Sequence, residues 1–175
     1  MPSTTADAKT VSCRAPEPPK DATPLKVTSE SINEGGDIDM TYVFNGCGGK
    51  NVSPQLSWSG APAGTKSFAI TCWDPDAPTG CGYWHWTQFD IPSGTTSVPA
   101  GKPIGKSGRN DYGSAGYGGP CPPKGDGKHR YMFTVYALDT DSIQGASEST
   151  SAASVVFMMR GHVLAQGTLT GKFGH

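Results

Sequence analysis

The sequence predicts a mainly β protein, an antiparallel β-sandwich with one short helix near the C-terminus. Its 175 residues include 24 glycines and 15 prolines, which favour turns over long helices. Short apolar and β-branched runs are separated by turn-forming residues along most of the chain, a pattern typical of antiparallel sandwiches. Apolar residues at partial helical spacing occur only in residues 151–164.

The first elements of the chain are short. Residues 1–24 are polar and proline-rich, and we expect them to form a flexible lead-in to a single domain spanning residues 25–175. An Asn-Gly-Cys-Gly-Gly run at residues 45–49 predicts a loop. The strand candidates in this part of the chain are residues 25–29, 41–44 and 55–58.

The longer elements follow. Residues 67–73 and 129–138 are the strongest strand candidates, and residues 83–91 form an aromatic strand between them. Strict alternation within that aromatic strand places His85 and Trp86 on opposite faces. The remaining elements are a glycine- and proline-rich loop, a helix and a closing strand, over residues 105–124, 151–164 and 168–173.

The bulk properties exclude several classes of function. Formal net charge is −1, from 14 Lys and Arg against 15 Asp and Glu, so no basic excess indicates a nucleic-acid partner. No apolar run is long enough to span a membrane. The N-terminus lacks the apolar core of a secretory signal, which predicts a cytoplasmic protein from the chain as given. A mature form with its leader removed would instead be periplasmic or secreted.

One candidate for chemistry is the segment Asp-Pro-Asp-Ala-Pro at residues 74–78, followed by Tyr-Trp-His-Trp at residues 83–86. Its two prolines fix the backbone, so the loop can hold a carboxylate at a set distance from a neighbouring histidine. The alternative interpretation is an ordinary proline turn whose aspartates cap backbone amides.

A second candidate is the glycine- and proline-rich run at residues 117–125, followed by His129-Arg130-Tyr131. Glycines allow close approach of a ligand, and His129 and Tyr131 share one strand face as two possible donors. The alternative is a long loop before an ordinary strand with a buried aromatic residue. No Walker-type phosphate loop is present, and the His, Asp and Cys spacing matches no common zinc pattern, so no metal site is predicted.

Taken together, the two segments resemble the signatures of a known family. Asp-Pro-Asp-Ala-Pro with Trp84-His85-Trp86, and Gly-x-His-Arg-Tyr-x-Phe from Gly127 to Phe133, are similar to those of the phosphatidylethanolamine-binding proteins. This family includes the Raf kinase inhibitor proteins of animals. The residues of the two motifs here are most similar to those of its bacterial kinase-inhibitor-like branch. The resemblance extends over about residues 25–173.

The resemblance implies a β-sandwich with a small surface pocket for phosphate, phosphoethanolamine or carboxylate groups, and with no cofactor. Animal members carry a second histidine directly after the Trp-His pair, where this chain has Trp86, so one imidazole donor is missing. When the ligand-binding positions of the family motifs are transferred to this sequence, the resemblance implies the following ligand-binding residues: Asp74, Pro78, Trp84, His85, Gly119, Pro120, His129 and Tyr131.

The chemistry of such a pocket can be stated as expectations. Asp74 should accept a hydrogen bond from His85 or His129 and so fix the tautomer, with the opposite ring nitrogen pointing into the pocket. A carboxylate beside a histidine raises the pKa of the histidine, which favours a cation facing the anion. Backbone amides near Gly119 should add neutral donors.

Two functions follow as hypotheses. The first is a non-catalytic binding protein for a small anionic ligand, with a kinase or protease as a candidate protein partner. The second is an acid–base enzyme acting on a small organic acid or anhydride, because Asp, His and Tyr in one pocket can transfer protons. No serine nucleophile elbow is present, and no catalytic residue is assigned.

The five cysteines leave at least one thiol unpaired within the chain. Cys47 and Cys121 lie in glycine-rich loops and resemble cysteines of exported bacterial relatives, which implies a loop-to-loop disulfide beside the pocket. Two reduced thiols in a cytosolic protein are the alternative. A bridged pair would fit a periplasmic or secreted protein.

Overall fold

The computed structural model describes residues 16–175. They form a mainly β structure with one short helix, as the sequence predicts. The strands are β1 (Lys26–Thr28), β2 (Leu56–Ser59), β3 (Ser67–Asp74), β4 (Tyr83–Pro92), β5 (Ser97–Val98), β6 (Lys106–Ser107), β7 (His129–Leu138) and β8 (Val163–Phe173). The helix is α1 (Ala152–Met158), and a single 3₁₀ turn covers Asn45–Cys47.

The strands form two antiparallel sheets. The larger one has the order β6-β4-β3-β7-β8, and the smaller one has the order β1-β2-β5. Between them lies the main core, in which Leu56 and Trp58 of the small sheet meet Ile70, Phe133 and other apolar residues of the large sheet. Burying apolar side chains from both sheets in one layer is what holds a β-sandwich together.

The outer face of the large sheet is covered by α1. Ser151 caps this helix through its side-chain oxygen, which accepts from the Ser154 amide. We call the apolar set beneath the helix the helix-side cluster; its buried members are Ala69, Phe89, Tyr136, Leu138, Ile143, Val155, Val156, Met159 and Val163. The large sheet is therefore buried on both faces, so its inner strands contain almost no exposed residues.

Several predicted elements differ from the structure. Residues 41–44 belong to no strand, since the amides of Tyr42 and Val43 close turns onto the carbonyls of Asp39 and Met40, and the Phe44 amide bonds to the Pro120 carbonyl. The helix is only half as long as predicted, because the chain turns at Gly161, which has positive φ, and enters β8 five residues earlier than expected. The two-residue strands β5 and β6 were not predicted, and β6 lies within the predicted loop 105–124.

The predicted lead-in, residues 1–24, falls mostly outside the described residues. Residues 16–24 form no helix or strand. No helix in the described part of the chain is long and apolar enough to cross a membrane.

Candidate functional site

A small cavity opens at one end of the central strands of the large sheet, where β3 ends and its two neighbours, β4 and β7, begin. Asp74 closes β3 opposite Tyr83 of β4, and Trp73 pairs with Met132 of β7. Antiparallel pairing thus brings residues from distant parts of the sequence to the same end of the sheet. The cavity has a volume of about 260 Å³. Its lining residues are Asp74, Ala77, Pro78, Thr79, Tyr83, His85, Tyr112, Cys121, Pro122, Pro123, His129 and Tyr131.

The cavity contains most of the residues that the family resemblance implied. The structure brings five of the eight together in its wall: Asp74, Pro78, His85, His129 and Tyr131. Three others, Trp84, Gly119 and Pro120, lie outside this lining.

Trp84 points away from the cavity because of its place in the sheet. Its ring stacks on Trp73 with centroids 5.8 Å apart, and it packs against the helix-side cluster. Its backbone amide donates to Asp111 at 2.7 Å. Trp84 is therefore part of the sheet surface and not of the pocket wall.

The backbone amides of Gly118 and Gly119 do not point into the cavity as donors, contrary to the expectation from the sequence. The Gly119 amide donates to Asn51 Oδ1 at 2.7 Å, and the Gly118 amide donates to the His85 carbonyl oxygen at 2.8 Å. Both N–H groups are therefore used within the protein and cannot serve as the predicted donors to a ligand. A side chain at Gly119 would overlap the Tyr42 carbonyl oxygen, since a Cβ there would lie 2.2 Å from it.

Asp74 and His129 form a buried pair in the cavity wall. His129 Nδ1 donates to Asp74 Oδ2 at 2.8 Å, and only 2–3% of either residue is exposed. Asp74 Oδ1 accepts from the backbone amides of Asp76 and Ala77 at 2.8 and 3.1 Å. The carboxylate is thus fully hydrogen-bonded, and the residue that it orients is His129 and not His85.

His129 also reaches toward the outside of the molecule. Its Nε2 lies 3.6 Å from Asp126 Oδ2, at the rim of a second, open cavity that contains Arg130 and Lys172. Arg130 is held there by a two-point ion pair with Asp76, with N···O distances of 2.8 and 2.9 Å. His129 is therefore shared between the pocket and a charged surface.

His85 owes its position to an irregularity in β4. The pairing with β3 runs from Cys72–Trp86 directly to Trp73–Trp84, so His85 has no partner in the register. His85 consequently contacts Tyr131, with ring centroids 5.1 Å apart, while Trp86 packs in the same core as Tyr131. Strict alternation, which places His85 and Trp86 on opposite faces, is wrong at this point.

The ring of His85 is oriented by backbone carbonyls. Its Nδ1 lies 2.8 Å from the Gly118 oxygen and 3.2 Å from the Gly119 oxygen. Burial lowers the pKa of His85, and the Gly118 carbonyl and the Asp74 carboxylate offset only part of that change. The expected cation facing the anion therefore does not hold for His85, which is neutral near neutral pH.

Tyr131 completes the polar wall. It is fully buried, and its hydroxyl has no hydrogen-bond partner among the described residues. Burial raises the pKa of Tyr131 far above its ordinary value, and the Asp74 carboxylate adds to that rise. The Cys121 amide acts in the opposite direction but does not meet the geometry of a hydrogen bond. The hydroxyl is thus a protonated, unused donor.

Sequence reasoning missed two aromatic residues of the lining. Tyr83 and Tyr112 pack edge to face with centroids 5.1 Å apart, and both surround the His85 ring. Tyr83 could have been found, because it stands two residues before His85 in a strand and so tends toward the same side. Tyr112 carries no such signal, because it comes from a loop whose path is set by tertiary contacts.

Cys47 and Cys121 form a disulfide across the pocket loop, with Cα atoms 5.7 Å apart and a separation of 74 positions in sequence. A bridge over a span of this length stabilises a fold by about 4 kcal/mol in the chain-entropy model. Of the described cysteines, Cys72 is a buried free thiol. Within residues 16–175, no three His, Cys, Asp or Glu side chains group in a way that could hold a metal ion.

Comparison with known proteins gives consistent matches over almost the whole described chain. The family model described as phosphatidylethanolamine-binding protein matches residues 28–174. YbcL of Escherichia coli is 48% identical over 160 residues, which cover 85% of this chain and 87% of YbcL. YbhB of the same organism is 43% identical over 85% of this chain and 99% of its own length.

Solved structures agree with the sequence comparison. The crystal structure of YbcL matches with a TM-score of 0.82 at 44% identity, covering 87% of this chain and 99% of that one. A homologue from Chlamydia trachomatis matches with a TM-score of 0.77 at 31% identity, covering 87% of this chain and 98% of its own.

Proposed function

The chain belongs to the phosphatidylethanolamine-binding protein family, and from this premise we propose that it is a non-catalytic binding protein for a small anionic ligand. The ligand group is a phosphate or a carboxylate. It enters the cavity between β3, β4 and β7, forms hydrogen bonds with Tyr131 and His85, and packs against the ring of His129 in the wall. The name of the family comes from other members, and the proposal for this chain depends on the residues of its own cavity.

The observation that carries the proposal is the buried, unpartnered hydroxyl of Tyr131. Leaving a buried donor without an acceptor costs about 1–3 kcal/mol. Of the four buried side-chain atoms without a partner among the described residues, this hydroxyl is the one that belongs to a residue lining the cavity. An oxyanion in the cavity supplies the missing acceptor. Repulsion of that anion by Asp74 is reduced, because His129 and two backbone amides already donate hydrogen bonds to its carboxylate.

The size of the cavity limits what enters. A volume of about 260 Å³ lies just below the range of about 300–1,000 Å³ that is usual for drug-sized ligands. It suits a phosphate, a phosphoethanolamine or a short carboxylic acid, and an attached chain would have to remain outside. The aromatic rings of Tyr83 and Tyr112 at the lining offer an apolar rim for such a chain.

Isothermal titration calorimetry with inorganic phosphate, phosphoethanolamine and acetate tests this proposal. We expect saturable one-to-one binding of at least one of them, with each competing against the others. Gln144→Phe, which fills a separate surface cavity near α1, serves as a control that keeps binding. Ala77→Phe, which fills the proposed one, should abolish it. Absence of binding at millimolar concentrations of all three would contradict the proposal.

The second candidate function, acid–base catalysis on a small organic acid or anhydride, is favoured by one observation. The buried Asp74–His129 hydrogen bond is the arrangement that orients a histidine as a general base. His129→Asn keeps a donor toward Asp74 but removes the basic nitrogen. An enzyme would lose turnover with its binding retained, whereas a binding protein has no turnover to lose. A kinase or protease partner stays a prediction from the resemblance.

A further inference from the structure

We propose that the pocket selects the protonated form of its ligand acid: a group that donates one O–H to His85 Nε2 while accepting from Tyr131. Dihydrogen phosphate, a singly charged phosphate monoester and an un-ionised carboxylic acid have this pattern. A fully deprotonated oxyanion of the same shape does not. This inference rests on the proposed function and adds the protonation state of the ligand to it.

The first step is the tautomer of His85. Carbonyl oxygens only accept hydrogen bonds, so Nδ1, which faces the carbonyls of Gly118 and Gly119 at 2.8 and 3.2 Å, carries the hydrogen. In a neutral imidazole the other nitrogen is then an acceptor. No hydrogen bond from the described residues reaches Nε2, and His85 lines the cavity.

The second step is that this tautomer is held in place. Asn51 Oδ1 accepts from the Gly119 amide at 2.7 Å, and the Tyr112 hydroxyl donates to the Gly119 oxygen at 3.0 Å. The Gly118 amide returns to the His85 carbonyl at 2.8 Å. The loop therefore cannot rotate to present N–H groups to the ring without breaking several buried hydrogen bonds.

The third step concerns the charge on the ring. Around His85 the titratable groups are the Asp74 carboxyl on β3, Tyr83 on β4, Asp111 and Tyr112 on the loop between β6 and β7, and Tyr131 and His129 on β7. The tyrosines are neutral, and Asp74 is bonded to His129 and two amides. Because only 3% of His85 is exposed, burial disfavours its cation.

The wall thus offers one acceptor, His85 Nε2, and one donor, the Tyr131 hydroxyl. A group with adjacent O–H and P=O or C=O atoms satisfies both at once. A fully ionised oxyanion would place a lone pair against the lone pair of Nε2, and its second charge would lose more hydration on entering. Sulfate is such an anion, since it matches phosphate in shape but has no proton to donate at neutral pH.

The test is calorimetric titration of the full chain with sodium phosphate and sodium sulfate from pH 5.5 to 8. Each pH is repeated in two buffers with different ionisation enthalpies, which report proton uptake. We expect sulfate to bind about 10- to 100-fold more weakly than phosphate at pH 6. Phosphate affinity should fall by up to about tenfold per pH unit once dihydrogen phosphate is no longer the main species.

Two variants complete the experiment. In His85→Gln the amide can donate to an oxyanion, so the ratio of phosphate to sulfate affinity should fall below about threefold. His162→Gln, at an exposed histidine paired with Asp139, should keep the wild-type ratio.

Equal binding of sulfate and phosphate, each with uptake of one proton, would overturn the inference and leave the proposed function intact, since it would show a cationic His85. No binding of either anion, acetate or phosphoethanolamine at any pH would instead contradict the proposed function itself.

Discussion

Two buried tyrosines of the same strand face opposite sides of the large sheet and differ in one respect. Tyr136 packs in the helix-side cluster, and its hydroxyl is not among the buried polar atoms left without a partner; the neighbouring Thr71 and Thr134 side chains partly offset the rise in its pKa caused by burial. Tyr131 lies in the cavity wall, and its hydroxyl has no partner among residues 16–175. The fold therefore leaves the Tyr131 hydroxyl, and not the Tyr136 hydroxyl, as a buried donor without an acceptor in this part of the chain.

This difference indicates what each region of the sheet does. The helix-side cluster is apolar and closed, so its side chains contribute to stability. The cavity end concentrates buried polar groups, of which Asp74 and His129 satisfy each other while Tyr131 and His85 Nε2 keep unused capacity. Unused polar capacity weakens a fold and strengthens binding of a matching ligand. The predictions below separate these two effects.

The largest effect is expected from Phe89→Ala in the helix-side cluster. Phe89 is fully buried, and removal of its ring should lower the free energy of unfolding by about 3–5 kcal/mol. Phosphate affinity of the folded variant should stay within about twofold of wild type. Urea denaturation and calorimetry measure the two quantities. Phe157→Ala, at a side chain that is 67% exposed, should change stability by less than about 0.5 kcal/mol.

A strong loss of phosphate affinity in a folded Phe89→Ala protein would show that the helix-side cluster and the cavity are coupled. The separation between a stabilising region and a binding region would then fail.

An intermediate effect is expected at Asn51, which has positive φ and holds the Gly119 amide. Asn51→Ala leaves that buried amide unpaired, and it should destabilise the protein by about 1–3 kcal/mol and weaken phosphate binding. Asn51→Asp keeps the acceptor oxygen and should recover most of both. If Asn51→Ala left phosphate affinity unchanged, the orientation of His85 would not depend on this loop.

The sequence predicted the strands and residues whose signals are local. Strand β7 was predicted to the residue, and the five pocket residues come from two motifs with fixed spacing. What it could not predict depends on distant contacts. The irregularity at His85 arises where β3 and β4 pair, and it overrides simple alternation. The Gly119 amide was predicted to be a donor to the ligand because its actual acceptor, Asn51, lies 68 positions away in the sequence.

The same reason explains the errors in element boundaries. Residues 41–44 favour a strand by composition, but no neighbouring strand pairs with them, and they fold into turns beneath the pocket loop. Trp84 was placed in the pocket by its motif, yet its ring stacks on Trp73 at the surface of the sheet. Motif position identifies a neighbourhood, while the direction of a side chain is set by pairing.

The central claim is that the Tyr131 hydroxyl is kept for a ligand, and the paired variants Tyr131→Phe and Tyr136→Phe test it most directly. Unfolding free energy and phosphate affinity are measured for both. Tyr131→Phe should leave stability equal or up to about 1 kcal/mol higher and weaken phosphate binding about 10- to 100-fold, while Tyr136→Phe should lose about 0.5–1.5 kcal/mol and bind normally. A Tyr131→Phe protein that is less stable and binds phosphate like wild type would contradict the claim.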